Sequence, residues 1–266
     1  MAQSLHISSI GEGTPIVLLH GWGLNSAVFK PLAEALSADY QVLSVDLPGY
    51  GYSRENIPSP YDLNRIADMI VEGVELHTEK PAIYLGWSMG GLIATHIALN
   101  HPSEKVHGLV TVASTPCFAQ QENWPGIKAE LLDGFHQQIT ADIEKTLNGF
   151  LKIQAMGSPH IKDDIKNIQQ LVMSAPLPDK EALIGGLGLL NNIDLRAVLS
   201  QITSPFLRIY GKMDGLVPKA IIKQVDALAP ESATIIFDKA SHAPFISDFD
   251  DFTTALKSWL KGNISI

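Results

Sequence analysis

Short apolar runs bounded by glycine, proline or aspartate alternate along most of this chain with longer segments in which apolar residues recur every three or four positions. The short runs predict strands at Pro15 to His20, Gln41 to Val45, Pro81 to Leu85, Val106 to Ala113, Pro205 to Tyr210 and Ala233 to Phe237. They are rich in Val, Ile and Leu, the composition of strands covered on both faces. The longer segments predict helices at Val28 to Leu36, Leu63 to His77, Met89 to Asn100, Lys219 to Leu228 and Asp248 to Leu260. Asp62 stands where a side-chain oxygen caps the second of these, and Ile66, Ile70 and Val74 share its inner face. Strands alternating with helices predict the α/β class, a mostly parallel sheet with flanking crossover helices.

The alternation stops after about Ser114 and resumes near Ser204. We expect an inserted helical cap over residues 115–192, on a core formed by residues 1–114 and 193–266. Inside the cap, Ile139 to Ile153 and Ile161 to Met173 carry apolar residues at helical spacing. Pro176, Pro178 and Gly185-Gly186 read as punctuation between segments.

Composition narrows the class of activity. The chain has 266 residues, 45% hydrophobic and 18% charged, enough apolar content for a large core and too little charge for disorder. A formal net charge of −9 argues against nucleic acid or an anionic membrane as the main partner. The one cysteine, Cys117, has no internal disulfide partner and reads as a small buried hydrophobe. No basic segment with a following apolar core opens the chain, and no run approaches the roughly 20 apolar residues of a membrane span. The expectation is a cytoplasmic monomer with no membrane attachment.

The candidate chemistry begins at Gly86-Trp87-Ser88-Met89-Gly90, directly after the apolar run Ala82 to Leu85 and before the helical Leu92 to Leu99. A G-x-S-x-G match alone arises by chance in about one chain in ten of this length. Between a strand and a helix it has the form of a nucleophile elbow, which lifts the serine onto a tight turn at a helix head. A serine needs a base, and the base needs an orienting group. Asp214 follows one late strand and His242 the next, so Ser88, Asp214 and His242 appear in the chain order of α/β-hydrolases. All three are expected on loops beyond the carboxyl ends of strands. Asp46 reads as a former of the Asp46-Leu47-Pro48-Gly49 turn, and Asp238 lies too near its strand end to serve His242. The loop His20-Gly21-Trp22-Gly23 supplies the Trp22 amide, which with the Met89 amide is expected to form the oxyanion hole. His20 reads as a tie between loops. His96, His101 and His107 lack companions at ligand spacing, so no metal is expected, and no phosphate or dinucleotide loop points to an organic cofactor.

Leu18 to Asn25, Leu85 to Ser88, Asn123 to Lys128, Asp214 to Pro218 and His242 to Ser247 are similar to segments of the pimeloyl-[acyl-carrier protein] methyl ester esterases of biotin synthesis. The resemblance runs nearly end to end and includes the cap. It implies a serine carboxylesterase with Ser88, Asp214 and His242 as its triad, and Trp22 and Met89 at oxyanion and substrate-contact positions. Phe150, Leu151, Lys152, Ile153 and Gln154 match the substrate-lining segment. An apolar channel lined by Trp22, Trp87, Phe150 and Leu92 would hold the alkyl chain. The basic cap positions that meet the acyl-carrier protein hold Lys145, Lys162 and Lys166, with Gly149 at a fourth. Lysine there keeps the charge while losing the bidentate geometry of arginine. A general short-chain carboxylesterase, a carbon-carbon bond hydrolase, or a slow ligand-binding sensor of the same fold are the competing readings.

Overall fold

A computed structural model describes residues 4–101 and 104–264; the remaining ends of the expected core, 1–3 and 265–266, lie outside the described residues. Seven strands form one sheet: β1 (Ile7–Ile10), β2 (Thr14–Leu19), β3 (Tyr40–Val45), β4 (Ala82–Trp87), β5 (Val106–Val112), β6 (Phe206–Gly211) and β7 (Ala233–Phe237). Their spatial order is β1-β3-β2-β4-β5-β6-β7, all parallel except β1, which runs antiparallel to β3. The apolar pattern does not predict β1. It is an edge strand, exposed from Ser8 onward, so no core face imposed an alternation on it.

The strand period of two sorts residues between two hydrophobic layers. Along β2, Val17 and Leu19 pack on one face while Ile16 and Leu18 pack on the other. Helices α2 (Leu63–Glu75), α3 (Met89–Asn100) and α8 (Ile222–Leu228) cover the first face; α1 (Lys30–Leu36) and α9 (Phe249–Asn263) cover the second. Asp62 caps α2 as expected, its carboxylate accepting from Arg65 N at 3.0 Å. From β2 the chain turns to β3 on one side and later returns to β4 on the other. At such a reversal, here between β2 and β4, open α/β sheets bind ligands beyond the carboxyl ends of their strands. Among the described residues no helix is long and apolar enough to cross a membrane.

Between β5 and β6 lie α4 (Ala129–Ala141), α5 (Ile143–Gln154), α6 (Ile161–Val172) and α7 (Lys180–Asn192). The excursion leaves and returns at one place: Cys117 bridges Asp194, and Leu195 N donates to Pro116 O at 2.9 Å. We treat it as the cap. Two details correct the sequence pattern. The single helix expected over Ile139 to Ile153 is two helices parted at Asp142, whose extended backbone and carboxylate, accepting from Lys145 N at 3.0 Å, start α5 afresh. The apolar spacing runs through the break because Ile139 and Leu147 are buried in the same core layer. Gly185-Gly186, expected as punctuation, lie inside α7. A side chain at Gly186 would crowd Trp22 Cδ1 at 2.7 Å and Tyr50 Oη at 2.8 Å, and one at Gly185 would enter the Tyr61 ring. These glycines let the cap helix lie directly on the loops that carry Trp22, Tyr50 and Tyr61.

Candidate active site

Ser88 sits between β4 and α3 with φ 56° and ψ −121°, a conformation that L-residues adopt only under constraint. The constraint comes from the packing of the turn. A Cβ at Gly90 would strike the Leu19 carbonyl, and one at Gly86 would strike the Gly90 carbonyl, so only glycine allows β2, β4 and α3 to approach this closely. Ser88 N donates to Val112 O at 2.9 Å, and Ser88 O accepts from Gly91 N at 2.9 Å and Ser114 Oγ at 2.8 Å. The Met89 amide, in the first turn of α3, has no acceptor within its own helix and adds to the positive end of the helix dipole.

His242 and Asp214 converge on this serine from loops 154 and 28 residues distant from their respective partners in sequence. Ser88 Oγ lies 2.9 Å from His242 Nε2, and His242 Nδ1 lies 2.8 Å from Asp214 Oδ2. The other Asp214 oxygen, Oδ1, accepts from Leu216 N at 2.8 Å and Val217 N at 3.0 Å, which fixes the carboxylate plane. All three side chains are buried, Ser88 at 3% exposure and His242 at 0%. The geometry can draw a proton from Oγ to the imidazole and stabilise the resulting cation with the carboxylate. The two rival acids do other work: Asp46 accepts from Ser26 N and Tyr52 N at 2.7 and 2.8 Å, and Asp238 pairs with Lys212 on the surface.

The loop after β2 faces the elbow. His20 is fully buried; its Nδ1 donates to Gly21 O at 2.8 Å and its Nε2 accepts from Leu47 N at 3.0 Å, which defines a neutral ring that ties two loops together. Burial holds this imidazole below its ordinary 6.5, outweighing the opposing effects of Asp46 and the Gly21 carbonyl. The unfolded chain therefore takes up this proton first as pH falls. The stabilisation is complete above 6.5 and is lost as pH drops from there through the lower folded value. His20→Asn is expected to lose less of its own stability than the parent between about pH 7.5 and pH 5, measured by urea unfolding. An equal loss in both proteins would show that other groups carry the acid sensitivity. Trp22, two residues on, donates Nε1–H to Leu183 O of α7 at 2.9 Å and packs its ring on Phe150 at 4.8 Å and Phe135 at 5.9 Å.

The chain matches the α/β-hydrolase fold family over residues 14–249. It belongs to the α/β-hydrolase family. The hydrolase is 48% identical over 262 residues to a pimeloyl-[acyl-carrier protein] methyl ester esterase of Shewanella woodyi, covering 98% of this chain and 99% of that one. It is 46% identical to the protein of the same name from Aliivibrio salmonicida, over 98% and 97% of the two chains. Among solved structures, an esterase from Exiguobacterium antarcticum superposes with a TM-score of 0.86 at 29% identity, covering 97% of this chain and 95% of that one. A bromoperoxidase from Bacillus anthracis superposes at 0.84 with 20% identity over 97% and 95% of the chains, a likeness of fold alone. The protein is a carboxylic ester hydrolase.

The cap segment Phe150 to Gln154, expected to line the substrate site, divides between buried and exposed positions. Five consecutive helical residues cannot face one cavity. Phe150 and Gln154 are buried one turn apart, Lys152 is exposed and Ile153 half-buried. Leu151 is buried in the other hydrophobic layer, with Ile168 and Val172 of α6. Phe135, which packs against both Trp22 and Phe150, is absent from the residues expected from sequence; its helix precedes the matched segment. Trp87 is not beside Trp22. Its indole N–H donates to His242 O at 2.7 Å and its ring meets Phe245 edge-on at 5.1 Å, so it braces the histidine loop. Leu92 lies in the same apolar layer as Trp22 and Phe150. Lys145 of α5 and Lys162 and Lys166 of α6 are all exposed on the cap, with Lys162 and Lys166 one turn apart on one face. A cleft lined by Gly23, Leu24, Leu147, Leu151, Val172 and Pro176 opens between cap and core beside the Trp22 loop.

Proposed function

We propose that this hydrolase removes the methyl ester from pimeloyl-[acyl-carrier protein], releasing methanol and leaving the free acid on its carrier, as a step of biotin synthesis in the cytoplasm. The observation that carries this reading is the similarity to esterases of that name over nearly the whole chain, cap included. The buried site supports it. With Ser88 only 3% exposed, no carrier protein reaches the nucleophile, so its acyl chain must extend beneath the cap and present its far end first. The far end of a methyl-pimeloyl chain is the methyl ester; the thioester stays near the surface.

In the proposed reaction His242 takes the Ser88 proton as Oγ attacks the ester carbonyl. The Trp22 and Met89 amides receive the oxyanion, and Asp214 orients the ring and stabilises its cation. His242 then protonates the departing methoxide, and water repeats the sequence on the acyl-enzyme. No metal or organic cofactor enters these steps. Trp22, Phe135, Phe150 and Leu92 offer the apolar wall against which the alkyl chain packs.

Lys145, Lys162 and Lys166 are the cationic positions proposed to meet an acidic carrier. The test compares demethylation of methyl-pimeloyl carrier protein with that of a carrier-free methyl pimelate ester at low and high salt. Carrier-borne ester is expected to turn over with at least about a 10-fold higher kcat/KM at low salt, an advantage that shrinks as salt screens the lysines. Equal turnover of both esters would reduce the activity to that of a general short-chain carboxylesterase.

A further inference from the structure

The side chain of Gln154 is 1% exposed, and neither its Nε2 nor its Oε1 has a hydrogen-bond partner among the described residues. Buried amides are normally satisfied, so this one is expected to find its partner in a molecule that enters the site. The other buried orphans, on Tyr40, Ser204 and Thr253, are single hydroxyls on the core. Gln154 alone is an amide on the cap, and its position is specific. It ends α5 one turn beyond Phe150, and helical side chains lean toward the preceding turn, which here is the Phe150 ring against Trp22. Its backbone carbonyl accepts from His242 N at 3.3 Å and Ser241 Oγ at 2.9 Å. The unpaired amide therefore stands on the cap turn whose backbone is hydrogen-bonded to the histidine loop.

We propose that Gln154 positions the water that hydrolyses the acyl-enzyme. An alkyl chain offers an amide nothing, and the oxyanion already has the Trp22 and Met89 amides. Once methanol leaves, a water beside His242 Nε2 has two protons to place. One goes to His242 as the water oxygen bonds to the acyl carbon; the other is held by Gln154 Oε1, aiming a lone pair at the carbonyl. Collapse of the tetrahedral intermediate breaks the bond to Ser88 Oγ, which takes the proton back from His242. The second water proton leaves with the product acid. The inference rests on the acyl-enzyme at Ser88 and not on the identity of the carrier.

With p-nitrophenyl butyrate, the initial burst of nitrophenol reads acylation and the steady rate reads hydrolysis of the acyl-enzyme. Gln154→Met, similar in length and lacking the amide, is expected to keep its burst rate within about 3-fold of the parent. Its steady rate should fall about 10-fold or more, with the butyryl group accumulating on Ser88 by intact mass. Methanol, which brings a single O–H, should also compete better with water for the acyl-enzyme in the variant. A parallel fall of burst and steady rate, or an unchanged steady rate, overturns the proposal. Gln154→Leu provides the same readings if the methionine variant fails to fold. Ser88→Ala, run alongside, separates the two levels: turnover surviving in it sinks the acyl-enzyme itself.

Discussion

Replacing Ser88 with alanine is expected to lower ester turnover by about 10,000-fold or more while leaving the fold intact, since the proposed oxyanion amides survive but the proposed nucleophile does not. Replacement with glycine should abolish turnover equally and, unlike alanine, stabilise the protein. The reason is the backbone: at φ 56° and ψ −121° any residue with a Cβ is strained, and glycine relieves a conformation that costs about 1–3 kcal/mol. Alanine keeps that strain. Turnover of a methyl ester together with urea unfolding of the three proteins checks both halves. An alanine variant that remains active would remove Ser88 from the chemistry, and a glycine variant no more stable than alanine would show that the elbow stores no strain.

Asp214→Asn is the second large effect, a loss of about 10,000-fold in kcat at neutral pH, the scale seen when this substitution is made in other serine triads. The local hydrogen bonds dictate the direction. Oδ1 accepts from two backbone amides, Leu216 N and Val217 N, so an asparagine must keep its oxygen there. Its NH2 then faces His242 Nδ1, which has to accept, and the ring proton moves to Nε2, where it points at Ser88 Oγ. A base becomes a donor with little change in shape. Retained activity in a folded variant would mean that His242 is oriented by the Trp87 and Gln154 contacts to its backbone and not by Asp214.

Both expectations concern residues that the sequence made legible, for a local reason. The elbow needs a strand, two glycines and a helix within about a dozen positions, and each is written in neighbouring residues. The chemistry of the acid and base is set by residue type, and their place in the chain follows from parallel strands, which bring every strand end to the same edge of the sheet. Asp46 and Asp238 could be set aside in the same way, and the structure puts both in other bonds.

The cap was harder to read because its helices answer to distant residues. Asp142 ends one helix and begins another, yet the apolar spacing across it is continuous since both helices press on one core layer. Gly185 and Gly186 have the composition of a break and the structure of a helix, because Tyr61, Tyr50 and Trp22, more than 120 residues earlier in the chain, occupy the space that side chains would fill.

The amino-acid sequence by itself determined the fold class, the order in which Ser88, Asp214 and His242 follow their strands, and the glycines on which the Ser88 turn depends, all of which rest on periodicity and short-range sterics. Only the tertiary structure decided which cap residues are buried, that Trp87 bonds the His242 carbonyl and packs on Phe245, that Phe135 joins Trp22 and Phe150, and that Gln154 carries an unpaired amide on the cap turn bonded to the histidine loop. Those facts depend on how separately formed layers come to rest on one another, and no window of sequence contains both sides of such a contact.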